Sequence, residues 1–148
     1  MLRNKQVMSG VFIGVMTLIL SRCAGIEPAL TGKPLYDRLG GNAAIDAVVD
    51  HFVANVLADG RINEFFVTAD IPKLKGHLVD QWCMMTGGPC TYKGRDMKTT
   101  HAGMNITNVD FDVLIENLVA ALDKVKVPGQ EKGELLGLLG PMREDIVK

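Results

Sequence analysis

The sequence is poor in aromatic residues, which make up 5% of its 148 residues and include a single tryptophan. Apolar residues nevertheless make up 47% of the chain, well above the range of disordered sequences. Leucine, valine, isoleucine and methionine must therefore form most of the core of one domain. The chain also has no excess of positive charge, since its formal net charge is −1 at pH 7. The composition therefore predicts no nucleic-acid partner.

The N-terminal apolar run, "VMSGVFIGVMTLIL", has 14 residues and is too short for a typical transmembrane helix. It follows the basic start "MLRNK", an order that is typical of a signal peptide. The next residues, "LSRC", resemble a bacterial lipobox that ends at Cys23, although Arg22 stands where a small residue is expected. We therefore predict that residues 1–25 are a signal peptide or lipoprotein-like targeting segment and that the protein is exported, either periplasmic or membrane-anchored. An uncleaved membrane anchor is the alternative.

Cysteine is scarce too, and only Cys83 and Cys90 follow this segment. In an oxidising compartment these two residues could form a disulfide. Their spacing fits no zinc motif. Because Cys83 lies between Trp82 and Met84, we expect a buried free thiol there, with disulfide formation as the alternative.

Helical periodicity runs through the rest of the chain, and no segment alternates convincingly with a period of two. The sequence therefore predicts an all-α fold. The first long helix should be capped by Asn42 and end at Gly60, and the next should begin at the cap Asp70. A glycine pair at 87–88 should end that second helix.

Three further helices are predicted in the second half of the chain. Asp96 should start a short helix. Thr107 should cap a strongly amphipathic one, with Asp110 three residues further on in a capping box. Pro128 should open the last helix, which Pro141 should kink.

Histidine occurs only three times, which makes each position informative. His51 lies away from the apolar stripe of its helix and should face solvent. His77 lies at the flank of such a stripe, where a surface or capping histidine is commoner than a ligand. His101 shares one helix face with Met97 and Met104. The position of His101 by itself is equally consistent with a structural role and with a role as a metal ligand.

Several segments taken together resemble the group I truncated hemoglobins. They are "LYDRLGG", "LADGRINEFF", "PKLKGHLVDQWCMMTGGPCTYKGRDMKTTHAGMNIT" and "VPGQEKGELLGLLGPM". Their glycine pairs at 40–41 and 87–88, and the single Gly94, match glycines that follow the first helix, follow the distal helix and precede the proximal helix of that family. The resemblance covers about residues 34–147. It implies a truncated globin domain, folded as a two-over-two helical sandwich around heme b (iron protoporphyrin IX).

The resemblance also implies the proximal side of the heme site. His101 matches the proximal iron ligand, and Met97 matches a residue against the proximal face. A ligating imidazole needs an acceptor for its second nitrogen, and the Met97 carbonyl is at the right helical spacing. Phe66 matches the phenylalanine that packs on the heme face, and Phe65 is its neighbour. Two further residues match contacts to the heme edge and the propionates, namely Tyr92 and Lys93.

On the distal side the chain departs from the common pattern of the family. Val53, Leu74 and Leu78 stand at positions where tyrosine, glutamine or threonine is usual. Bound O₂ carries partial negative charge and is held by hydrogen-bond donors, so this apolar set disfavours tight O₂ storage and efficient NO dioxygenation. Gln81 is expected at the edge of the pocket and not as a donor to the bound gas.

The motif "KLKGH" places His77 where some members of the family carry a histidine that binds the sixth position of the iron. The resemblance therefore implies His77 as a second ligand or a distal donor. The alternative is a histidine at the solvent edge of an apolar pocket with five-coordinate iron.

Three functions remain open at this point. The first is reversible binding of a diatomic gas, either O₂, NO or CO. The second is redox or electron-transfer chemistry, or an NO dioxygenase activity, with two-histidine ligation and a reductase as partner. The third is a helical lipoprotein with a structural role and no heme.

Overall fold

Helices make up nearly all the regular structure in the computed structural model, which describes Gly32–Lys148. The predicted targeting segment, residues 1–25, lies outside the described residues. Between Gly32 and Lys148 no strand forms, which confirms the all-α prediction. In the same range, no helix has both the length and the apolarity needed to cross a membrane. The helices, in chain order, are α1 (Leu35–Leu39), α2 (Gly41–Ala58), a 3₁₀ turn (Asn63–Phe66), α3 (Ile71–Met85), α4 (Met97–Thr100), α5 (Asn108–Lys124), α6 (Gly129–Leu139), a second 3₁₀ turn (Gly140–Met142) and α7 (Arg143–Ile146).

The long helix α2 lies at the centre of the fold, because it packs against both α3 and α5. One of its faces is apolar at helical spacing, and Val49 and Val56 on that face have no exposed surface. Full burial of one such side chain stabilises the fold by about 1.5–3 kcal/mol. The same face carries Phe52 and Val53, so α2 supplies both the core and one wall of the site described below.

The start of α2 differs from the prediction that Asn42 caps it. Gly40 and Gly41 have φ angles of 103° and 73°, a left-handed conformation that glycine adopts without strain. The chain therefore passes from α1 directly into α2, and Asn42 falls inside the first turn. The Asn42 backbone N–H donates to the Tyr36 hydroxyl at 3.1 Å, which replaces the expected side-chain cap.

The end of α2 is tied to α5 by a polar network. Asn117 Nδ2 donates to Asp59 Oδ2 at 2.8 Å, and Asn55 Nδ2 donates to the Asn117 carbonyl at 3.1 Å. Arg61 forms an ion pair with Asp59 at 2.7 Å. Hydrogen bonds, first from the Arg61 side chain and then from Asn117, lower the pKa of Asp59. This network fixes the register between the two longest helices of the described chain.

The predicted caps of α3 and α5 are confirmed. The Asp70 side chain accepts from the Lys73 N–H at 3.1 Å, and Thr107 and Asp110 form the complete capping box. Hydrogen bonds from Thr107 lower the pKa of Asp110. This contribution to stability is therefore present above the unfolded-state pKa of about 3.9 and is lost as the pH falls through the folded-state pKa.

The expectation of a buried free thiol at Cys83 is wrong, because Cys83 and Cys90 form a disulfide. Gly87, with a φ of 86°, turns the chain back after α3, so that the two Cα atoms lie 5.7 Å apart. Gly88 allows this turn to be tight enough for the disulfide, because glycine has no side chain. A Cβ there would lie 2.7 Å from Cys83 Sγ and 2.5 Å from the Tyr36 ring. Closing this short loop stabilises the fold by about 2–3 kcal/mol in a chain-entropy model.

The C-terminal region agrees with the predicted distortion of the last helix at Pro141. The α6 helix ends at Leu139, and Pro141 lies in a 3₁₀ turn that separates α6 from α7. Proline lacks an N–H and clashes with the preceding turn, so it interrupts the regular α-helical hydrogen bonds here while the backbone stays helical. Arg143 holds α7 against α5, because its guanidinium lies 4.4 Å from the centre of the Phe111 ring and donates to Asn108 Oδ1 at 3.0 Å.

Candidate functional site

Two cavities meet between α3, α4 and α5. The inner cavity has a volume of about 130 Å³ and is almost entirely apolar. The outer cavity has a volume of about 770 Å³, within the roughly 300–1,000 Å³ that is usual for sites of small molecules and cofactors. The two cavities share the side chains of Leu74, Leu78, Gln81, Met97 and His101.

His101 lies at the junction and is held by the carbonyl of Met97. Asp96 caps α4 by accepting from the Thr99 N–H at 2.8 Å, and these hydrogen bonds lower the pKa of Asp96. His101 directly follows this single helical turn, and its Nδ1 lies 2.8 Å from the Met97 carbonyl oxygen. A carbonyl oxygen only accepts, so Nδ1 is the donor, and in the neutral imidazole Nε2 keeps its lone pair. The structure therefore confirms the hydrogen bond that the sequence suggested.

The apolar residues predicted for the site are brought together, with one exception. Val53, Leu74, Leu78 and Phe66 all line the inner cavity. Phe65 instead lines a smaller cavity of about 70 Å³, together with Met104 and Ile106. His101 and Phe66 border both of these cavities, so Phe65 supports the site from behind.

The outer cavity collects the polar residues that were predicted for the site. His77, Tyr92 and Lys93 line it, whereas none of the three lines the inner cavity. His77 is half-buried, and its ring meets the ring of Tyr92 edge-on at 6.0 Å. His51, by contrast, is exposed on α2, as predicted.

Tyr92 is positioned by the residues that follow it in the loop. Its hydroxyl donates to the Arg95 carbonyl at 2.8 Å, and burial, followed by the charge of Asp96, raises the pKa of Tyr92. The ring folds back over Gly94, where an added Cβ would lie 2.2 Å from the Tyr92 hydroxyl oxygen. Only glycine leaves room for this arrangement.

Sequence reasoning missed two kinds of site residue. Two cations, Lys73 and Arg95, line the outer cavity beside Lys93. Their positions in the sequence indicate them, because Lys73 begins the motif "KLKGH" and Arg95 lies two residues after Lys93. The rear wall of the inner cavity comes from α5 and the C-terminal elements. Its residues are Phe111, Leu114, Ile115, Leu118, Leu139, Met142 and Ile146. Helical periodicity marks these as buried, but it does not separate cavity walls from ordinary core.

Gln81, which was expected at the pocket edge, is buried at the border between the two cavities. Its exposed fraction is 7%, and it borders both cavities. Its side-chain nitrogen donates to Met97 Sδ at 3.6 Å.

The donor set argues against a bare metal ion at this site. Within Gly32–Lys148 no three His, Cys, Asp or Glu side chains come together as a metal site. A zinc ion takes three or four protein ligands, whereas within residues 32–148 the imidazoles that border the two cavities are those of His101 and His77. A metal held here would therefore need most of its ligands from an organic cofactor.

Comparison with known proteins gives a consistent result. The family model of bacterial-like globins matches residues 34–148. The chain is 37% identical over 128 residues to a group 1 truncated hemoglobin of Mycolicibacterium paratuberculosis, covering 86% of this chain and 91% of that protein. It is also 37% identical over 115 residues to a group 1 truncated hemoglobin of Tetrahymena pyriformis, covering 78% and 95%.

Solved structures of similar proteins agree. The Fe(III) form of the Tetrahymena pyriformis truncated hemoglobin superposes with a TM-score of 0.74 at 36% identity, covering 78% of this chain and 98% of that one. The 2/2 hemoglobin of a Synechococcus species, solved in the cyanomet state with covalently attached heme, gives 0.73 at 36% identity, with the same coverage. These likenesses confirm the predicted two-over-two helical fold.

We predict that Gly94→Ala destabilises the protein by about 1–3 kcal/mol, because the added methyl group overpacks the space that the Tyr92 ring fills. Urea unfolding measures this loss. Gly133→Ala is the matched control, because an added Cβ there meets nothing within 4 Å. In a Tyr92→Ala background the Gly94→Ala substitution should cost much less, and an equal cost in both backgrounds would contradict the steric explanation.

Proposed function

The chain belongs to the group 1 truncated hemoglobins, and from that membership we propose that it holds heme b between α3 and α4 and reversibly binds a diatomic gas, either O₂, NO or CO. One observation carries the proposal. Among the described residues the hydrogen-bond partner of His101 Nδ1 is the Met97 carbonyl, so that in the neutral imidazole the lone pair of Nε2 is available to a metal.

The residues present fit heme. Heme combines a flat apolar body with two anionic propionates, and the two cavities combine an apolar interior with a cationic mouth. Lys73, Lys93 and Arg95 line that mouth, and within residues 32–148 none of them is ion-paired with a carboxylate. They are therefore available to the propionates.

Heme supplies an iron atom at which a diatomic gas binds reversibly. The protein residues set the conditions for that binding. His101 would hold the iron from the α4 side, in the orientation that the Met97 carbonyl fixes. Val53, Leu74 and Leu78 line the inner cavity with apolar side chains and offer a ligand no hydrogen bond. Phe66 packs against the same space.

A second candidate function is redox chemistry, either electron transfer or NO dioxygenation with a reductase as partner. The observation that favours it is that His77 and His101 line the same outer cavity, from α3 and from the end of α4. Two imidazole ligands would leave no free position on the iron until His77 moves away. Gas binding would then be slowed by the fraction of protein in the closed state.

We predict that His101→Ala removes the heme or weakens its binding severely, because no other imidazole lines the inner cavity. The Soret band of the purified protein and the transfer of heme to an apomyoglobin acceptor measure this loss. His51→Ala, on the exposed face of α2, should leave both unchanged. Native heme affinity in His101→Ala would show that the proximal assignment is wrong.

For the second function, we predict that His77→Leu gives a five-coordinate ferrous protein that binds CO faster and without a lag. Flash photolysis or stopped-flow mixing with CO measures the rates. His51→Leu serves as the control for a change of histidine on the surface. A wild-type ferrous spectrum that is already high-spin, and that His77→Leu does not alter, would rule out ligation by His77.

We also propose that the protein is exported and is periplasmic or membrane-anchored. The basic start and the 14-residue apolar run support this proposal. The Cys83–Cys90 disulfide adds support, because such bonds persist mainly in oxidising compartments.

Mass spectrometry of the protein from its native host tests export. The mature chain should begin between Cys23 and about Ile26, with Cys83 and Cys90 oxidised. A diacylglyceryl mass on Cys23 would establish membrane attachment. An intact Met1 in a cytosolic fraction would contradict export.

A further inference from the structure

Gln81 occupies an unusual place on α3. It lies on the same helix face as Leu74 and Leu78, seven and three residues further along. Its exposed fraction is 7%, yet it borders both the inner and the outer cavity. A polar side chain is thus buried on a helix face whose other two residues toward the site, Leu74 and Leu78, are apolar.

The carboxamide of Gln81 is poorly satisfied by the protein. It has two N–H donors and an oxygen with two lone pairs. Among the described residues its side chain makes one hydrogen bond, from Nε2 to Met97 Sδ at 3.6 Å, and a thioether sulfur is a weak acceptor. No atom of this carboxamide is both fully buried and unpaired, so its free hydrogen-bonding groups face the open space of the cavities and are available to a molecule that enters there.

Few other hydrogen-bond donors line the inner cavity. Val53, Leu74 and Leu78 have none, and His101 Nδ1 is already committed to the Met97 carbonyl. The indole of Trp82 has an N–H, but Trp82 does not border the outer cavity and also lines a separate void on the far side, toward α6. Among the residues that border both cavities, Gln81 is therefore the one with a side-chain donor that is not committed to a strong acceptor.

We propose that the Gln81 carboxamide is the hydrogen-bond donor of the site and selects ligands whose outer atom accepts a hydrogen bond. This inference rests on the proposed heme function. O₂ is such a ligand, because it carries partial negative charge when bound, whereas CO accepts hydrogen bonds poorly. Gln81 thus supplies the selectivity that Val53, Leu74 and Leu78 cannot.

The test is the ratio of CO affinity to O₂ affinity in the ferrous, heme-loaded full chain. Both gases must displace the same endogenous ligand, so any effect on His77 cancels in the ratio. In Gln81→Leu the ratio should rise about tenfold, mainly through faster O₂ dissociation, as expected for the loss of one hydrogen bond. Gln81→Glu keeps the shape, removes the donors and should raise the ratio as well. Gln130→Leu, on the exposed side of α6, should not change it.

Unfolding of the heme-free protein in urea provides a readout independent of gas binding. The Gln81→Leu apoprotein should be at least as stable as wild type, because the amide has only a weak partner. A less stable apoprotein with an unchanged CO to O₂ ratio would show that Gln81 merely positions Met97, and would overturn the proposal. A ratio that stays constant in both Gln81 variants would also overturn it. A wild-type protein with no Soret band would instead overturn the heme function itself.

Discussion

The hydrogen bond between His101 Nδ1 and the Met97 carbonyl is the interaction on which the candidate site depends. It fixes both the tautomer and the orientation of the imidazole, and so decides that Nε2 is the nitrogen left with a lone pair. The helix that supplies the carbonyl is a single turn, too short to be stable alone. Asp96 caps that turn, and α7 packs against it.

The apolar cavity is a consequence of how α2, α3 and α5 pack. Leu74 and Leu78 face inward from α3, but no side chain of residues 32–148 fills the cavities that they share with His101. A well-packed interior has few such voids, so a cavity with a cationic mouth is typical of a cofactor site. The disulfide and the tight turn at Gly88 hold the end of α3 close to the loop that leads to α4.

Much of the fold could be predicted because its signals are local. Helical periodicity located the long helices, and the side chains of Asp70 and Thr107 marked two starts correctly. The cap at Asn42 was wrong because consecutive left-handed glycines brought α1 directly against α2. The distortion at Pro141 was predicted because a proline inside a helix always removes a hydrogen bond, whereas the packing of Arg143 on Phe111 depends on how the helices meet.

The sequence by itself determined the all-α class, the family and the identity of His101 as the candidate ligand, because these rest on spacing along one helix or on motifs read in order. Only the tertiary structure decided that Cys83 pairs with Cys90, that Phe65 stands behind Phe66 and that Gln81 is buried at the junction of two cavities. Each of these depends on the path of a turn or on the distance between two helices. Periodicity says which face of a helix is buried, but what lies opposite that face is fixed only when the helices pack.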